Sequence, residues 1–265
     1  MKIALISDIH EDIVSLTKAL KMIELEKCDH IVCLGDILGY PYNRGKYENT
    51  RNASECLLLI RKNCSIVLAG NHDLFHLKKL PKSNSNFRFP SEWYSLSPEE
   101  MLKKSDGKVW NYSDDYTIQL SDKEMEYLHS LQEFVIKDYG EKRILYSHYI
   151  YPEFTGLVNS KPNDFKKIKE HFAFLHQNDC NVSVCGHMHI EGMGLCYDPE
   201  EHFMSNLFKG FMYYSYGEKS IKEKCCSITI PALADNGQVN GFAIFDTLSN
   251  KINVLSLNTN RRFIL

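Results

Sequence analysis

At 265 residues the chain can bury a large core, and its 43% apolar and 25% charged content is that of an ordinary globular protein, which excludes disordered and collagen-like classes. A net charge of −3 excludes a global field that would favour nucleic acid or an anionic membrane, so an anionic ligand has to be attracted locally. The apolar run of the opening MKIALISDIH is too short for a signal peptide, no run has the length of a membrane helix, and nine Cys without a C-x-x-C pair fit reduced thiols, so a cytoplasmic protein is expected.

The first predicted strand, Ile3–Ile6, leads into Ser7-Asp8-Ile9-His10. A helix is predicted from Ile13 to Lys27, because Ile13, Leu16, Leu20 and Ile23 recur at three- and four-residue spacings. The strand Ile31–Leu34 leads into Gly35-Asp36 and then into a Gly/Pro/Asn-rich loop at 39–45. Ala53, Cys56, Leu57 and Ile60 mark one face of a second helix, and the strand Ile66–Ala69 leads into Gly70-Asn71-His72-Asp73. Right-handed crossovers make these three strands parallel, with helices over the sheet.

Residues 74–142 read as an excursion from the sheet within a single domain spanning 1–265. It contains a basic loop at Lys78–Arg88 and two short helices. Ser97-Pro98-Glu99-Glu100 supplies an N-cap, a Pro at the first position and a Glu at the third; Ser121 and Glu124 form a second capping box. The sheet is expected to resume with Ile144–Tyr146, which leads into Ser147-His148, followed by a loop and helix-like stretch over 150–180. Val182–Cys185 leads into Gly186-His187-Met188-His189. Beyond it the pattern is β-rich, with strands at Ser227–Ile230, Gly241–Phe245 and Ile252–Leu255 and turns at Asn236-Gly237 and near Ser249-Asn250.

Each motif alone is weak. Asp-x-His and Gly-Asp are ordinary turn sequences, and a lone His148 is usually structural. Their order is more specific: five buried-strand patterns each end in Asp, Asn or His, and open α/β sheets gather ligands at the carboxyl ends of their strands. In extended chain, His187 and His189 point the same way and can present two imidazoles to one site.

This ordered set, D-x-H, G-D, G-N-H-D, H and G-H-x-H, resembles the calcineurin-like metallophosphoesterase superfamily, over Asp8 to His189. The resemblance implies an α/β fold, a four-layer α-β-β-α sandwich of two mixed sheets, with a binuclear metal centre. It assigns Asp8, His10 and His189 to one metal, Asn71, His148 and His187 to the other, and Asp36 to both. It places His72 beside the substrate and Asp73 in the position that orients and charges His72. The donor set suits two transition-metal ions of the Mn, Fe, Zn, Co or Ni kind, and needs no Cys. The expected reaction is hydrolysis of a phosphodiester or phosphomonoester, through attack on phosphorus by a metal-bridging hydroxide. His72 could instead be structural.

Tyr40 and Arg44, on the loop after Asp36, are candidate substrate contacts, because loops at this edge carry function. Trp93 and Trp110 are read as core or lid packing, and His76 as structural or solvated. Met188 stands where relatives often have Thr, and Pro231-Ala-Leu-Ala-Asp-Asn where they often carry a Gly-rich loop and basic residues. A small phosphorylated substrate is the expected partner, with no stable nucleic-acid or membrane partner. The alternatives are a phosphoprotein phosphatase and an inactive scaffold of the same fold.

Overall fold

Ile3 and Leu5 face one way along the first strand and Ala4 and Ile6 the other, and all four are fully buried. A strand with apolar residues on both faces needs a layer on each side of its sheet. The computed structural model supplies both layers and describes residues 1–39, 47–83, 87–158, 165–222 and 224–258.

In chain order come β1 (Lys2–Ile6), α1 (Ile13–Leu25), β2 (His30–Cys33), α2 (Ala53–Asn63), β3 (Ile66–Val67) and α3 (Asn71–His76). The excursion adds α4 (Pro98–Ser105) and α5 (Asp122–Ser130). Then follow β4 (Phe134–Asp138), β5 (Arg143–Ser147), α6 (Phe165–Gln177), β6 (Val182–Cys185), β7 (Met193–Tyr197), α7 (Phe203–Phe208), β8 (Met212–Tyr214), β9 (Gly217–Ser220), β10 (Cys226–Thr229), β11 (Gly241–Asp246) and β12 (Lys251–Ser256).

Two six-stranded mixed sheets result, in the orders β3-β2-β1-β11-β12-β9 and β4-β5-β6-β10-β7-β8. β1, β2 and β3 are parallel, as are β5, β6 and β10, and the other pairings are antiparallel. The central apolar layer joins the sheets: Ile3, Leu5 and Phe245 of the first sheet pack with Tyr146, Val184 and Ile228 of the second. Ala4, Ile6 and Phe242 pack outward against Leu16 and Ile23 of α1 and Cys56 and Ile60 of α2. Leu145 and Cys196 pack against Ile168, Phe172 and Leu175 of α6. The layers are therefore α-β-β-α.

The helices start where the capping chemistry puts them. Asp12 accepts from Ser15 N at the start of α1, and Ser97 and Glu100 close a capping box with Pro98 at the first position of α4. Two boundaries differ from the pattern. The predicted strand Ile66–Ala69 is a strand only at Ile66–Val67, because Ala69 N donates to Gln132 O. The sheet resumes at Phe134, not after residue 142: the short apolar run Phe134-Val-Ile opens a half-exposed edge strand, β4, antiparallel to β5. Among the described residues no helix is long and apolar enough to cross a membrane. The nine cysteines carry free thiols, seven of them buried.

Candidate metal centre and its flanking histidine

The loops after the parallel strands are tied to one another before any ligand is considered. Asp8 N donates to Gly35 O, and Ile9 N and His10 N both donate to Asp36 O. Leu233 N and Ala234 N close the same edge on Ser7 O and Asp8 O. Asp8, His10, Asp36, His187 and His189 all have positive φ, between 46° and 65°. Such backbone is uncommon outside glycine and persists only where surrounding contacts over-determine it.

The side chains so held form two donor groups that meet at the sheet ends. Asp8, His10 and His189 can each offer one atom, with all three within 4.8 Å of one another; Asp36, His148 and His187 form a second such group. His189 Nε2 lies 3.1 Å from His10 Nε2 and 3.2 Å from Asp8 Oδ1. His148 Nε2 lies 3.2 Å from Asp36 Oδ2 and 3.8 Å from Asp8 Oδ1. Asn71 Oδ1 is 2.9 Å from His187 Nδ1. Asp8 Oδ1 and His148 Nε2 are buried without a hydrogen bond of acceptable geometry, despite these close neighbours. Buried polar atoms are normally satisfied, and carboxylate oxygens and imidazole nitrogens that converge without pairing fit a cation shared among them. The outer ring nitrogens orient these donors: His10 Nδ1 lies 2.7 Å from Gly39 O and His148 Nδ1 3.0 Å from Leu34 O.

The charges suit the same reading. Burial raises the carboxyls of Asp8 and Asp36, but His189 and His148 beside Asp8, and His148 and His72 beside Asp36, outweigh it and hold both well below the usual range. Burial and then a neighbouring imidazole push His10 down to about 4 and His187 down to about 3, so both are neutral rings. Burial also disfavours charge on His148, yet Asp36 and Asp8 outweigh it and push it up to about 9.

His72 stands at the edge of this centre, its ring 4.8 Å from the rings of both His10 and Tyr112 in edge-on contact. Its backbone N–H donates to Asp36 Oδ1 at 2.9 Å. Asp73 adds to the charge that raises the His72 pKa, as expected, but it is not the carboxylate that holds the ring. Asp73 does not touch the His72 ring: Oδ2 accepts from Asp36 N and Gly70 N, and Oδ1 from Ile37 N and Leu38 N. Asp73 therefore fastens the loop after β2 to the start of α3. It opens a helix, and its side chain turns back toward the loop. The carboxylate on His72 is Asp115, from the excursion, with Oδ2 2.7 Å from His72 Nδ1 and 3.2 Å from His76 Nε2. Burial opposes charge on His72, but Asp36 and then Asp115 outweigh it and push the ring up to about 9. Gly39 makes room for this arrangement: it sits at φ +86°, and a Cβ there would overlap the His72 ring.

All seven expected ligand residues and His72 thus come to one edge of the fold. Tyr40 and Arg44 lie outside the described residues. Asp115 and His76 were not foreseen as part of the site, nor was Asn236, whose Nδ2 is 2.7 Å from His189 Nδ1. Trp110, read as packing, is 41% exposed, with its ring 6.3 Å from that of His187.

Residues 1–191 match a family described as calcineurin-like phosphoesterase. A metallophosphoesterase of Sphaerobacter thermophilus superposes with a TM-score of 0.65 at 22% identity, covering 98% of this chain and 89% of that one. A hypothetical protein of Pyrococcus horikoshii superposes with a TM-score of 0.53 at 13% identity, over 98% and 89% of the two chains. Both likenesses are of fold. An uncharacterized protein of Methanocaldococcus jannaschii is 39% identical over 71 residues, so the match spans 27% of this chain and 26% of that relative's length.

Proposed function

Starting from a chain that belongs to the calcineurin-like phosphoesterase family, and so from a metal-dependent phosphoesterase, we propose that it holds two metal ions and hydrolyses a small phosphoester. Asp8, His10 and His189 take one ion, Asn71, His148 and His187 the other, and Asp36 lies between. Bound there, two ions of the Mn, Fe, Co, Ni or Zn kind would neutralise charge at phosphorus and acidify a water to near neutrality.

The chain's own residues do the rest. Asp8 and Asp36 supply two negative charges, which leaves a doubly occupied centre cationic and attractive to a phosphate. His72 presents a protonated ring beside that centre. As water adds to phosphorus and the P–O bond to the alcohol breaks, the departing oxygen takes a proton from His72 Nε2, while one water proton stays on the released phosphate and the other passes through solvent to restore His72. Asp115 fixes the ring through Nδ1 and keeps it charged. The observation that carries this reading is the pair of donor groups, each with a carboxylate and two imidazoles, at one sheet edge with His72, held by Asp115, beside them.

The test is hydrolysis of 4-nitrophenyl phosphate and bis(4-nitrophenyl) phosphate with added Mn²⁺ and with a chelator. Chelation and Asp36→Asn should each abolish turnover. Activity that survives either one contradicts the two-ion reading.

A further inference from the structure

The excursion encloses a cavity of about 500 Å³, lined among others by Phe75, Trp93, Tyr94, Trp110 and Tyr112. This volume lies in the range of small-molecule sites, and two of its wall residues touch the candidate centre. Tyr112 packs on the His72 ring, and the Trp110 ring approaches His187. Asp115, which holds His72, is also part of the wall.

Its chemistry differs from that of the metal centre. Among the described residues its walls carry one lysine, Lys78, and one carboxylate, Asp115, and His76 is engaged by that carboxylate, so these residues bring no net positive charge to draw a phosphate inside. The aromatic faces instead favour a planar, neutral group. Asp115 offers the cavity no open acceptor: its side chain is 1% exposed, Oδ2 is taken by the two histidines, and Oδ1 is buried.

We propose that this cavity binds the alcohol portion of the substrate, a neutral aromatic group, while the phosphate stays at the metal centre. The proposal rests on the phosphoesterase reading for its phosphate end only. The excursion thus selects the leaving group, and the product alcohol occupies the cavity after the P–O bond breaks.

Both tryptophans of the chain, Trp93 and Trp110, line the cavity, so intrinsic fluorescence reports on its occupancy directly. The experiment titrates the full chain with 2-naphthol and measures kcat/KM for phenyl and 2-naphthyl phosphate esters, whose leaving phenols are of similar acidity. Saturable quenching is expected, together with a preference of about tenfold for the larger ester from burial of its second ring. Ser105→Phe, at the cavity wall on α4, should weaken naphthol binding by about tenfold or more and erase that preference. Absence of saturable quenching in the unaltered protein overturns the proposal, even if Ser105→Phe fails to fold. Equal turnover of the two esters also overturns it. Saturable binding that Ser105→Phe weakens, with neither ester hydrolysed, supports the cavity and counts against the phosphoesterase reading alone.

Discussion

Replacing Asp115 by Asn keeps the shape of the side chain beside His72 and removes its charge. The hydrogen bond lost in strength is a buried, charge-assisted one of 2.7 Å to His72 Nδ1, and Oδ2 also holds His76 Nε2 at 3.2 Å. Hydrogen bonds to charged groups contribute about 1.5–3 kcal/mol. If the imidazolium of His72 acts on the departing oxygen, that much stabilisation is missing in the transition state, a loss of roughly tenfold to a hundredfold in kcat/KM. The sign of the pH effect follows. Asp115 raises the pKa of His72, so its loss lowers that pKa. Turnover needs the protonated ring and falls as pH rises through its pKa, so the alkaline limb of the pH–rate profile should move to lower pH in Asp115→Asn. The assay is kcat/KM against pH for wild type and variant, with the metal content of both measured. Wild-type kcat/KM with an unmoved alkaline limb, at equal metal content, would refute the assignment of Asp115 to His72.

Asp73→Asn should act on the scaffold. An amide turns its NH₂ toward two of the four backbone donors now bound to the carboxylate, which costs roughly 2–5 kcal/mol and should lower Tm in a thermal melt by about 5–15 °C; an unchanged Tm would contradict the stapling role. Binding of Mn²⁺ near neutral pH should release protons, because His148 is pushed up to about 9 by Asp36 and Asp8 against its burial and must give up its proton to become a ligand. Calorimetry in two buffers of different ionisation enthalpy measures this, and zero release would count against His148 as a ligand. Acid should destabilise the fold through His171, whose buried ring accepts from Tyr151 N and lies 2.8 Å from Ser183 Oγ. Burial pushes it down to about 3, so the unfolded chain binds one more proton between about pH 6.5 and 3. This contribution is fully present above pH about 6.5 and is lost at about 1.4 kcal/mol per pH unit as pH falls through that window. Denaturant unfolding at several pH values should show a shallower slope in His171→Gln, and equal slopes would remove His171 as the cause.

That the expected ligand residues meet at one edge was legible because their positions obey local rules. A short apolar run followed by Asp, Asn or His says which residues end up at the sheet edge, and Ile3–Ile6 is buried on both faces as such a run requires. The capping residues at Ser97 and Ser121 were legible for the same reason. Asp115 was not, because nothing within the excursion's sequence marks the return of residue 115 to residue 72. Asn236 reaches His189 across a similar distance along the chain. The resemblance assigned Asp73 to orient His72, whereas in α3 its carboxylate turns back to the N–H groups of the preceding loop and acts on His72 only through its charge. The edge strand β4 was hidden because its apolar run, Phe134-Val-Ile, follows the Leu128 and Leu131 helix pattern with no Gly or Pro to separate the two.

The central claim is that two ions sit in two donor groups with Asp36 common to both. Anomalous difference density from crystals grown with Mn²⁺ tests it directly. The account predicts two peaks, one among Asp8, His10 and His189, the other among Asn71, His148 and His187, each with Asp36 in its coordination sphere. A single peak, or peaks away from these side chains, would contradict it.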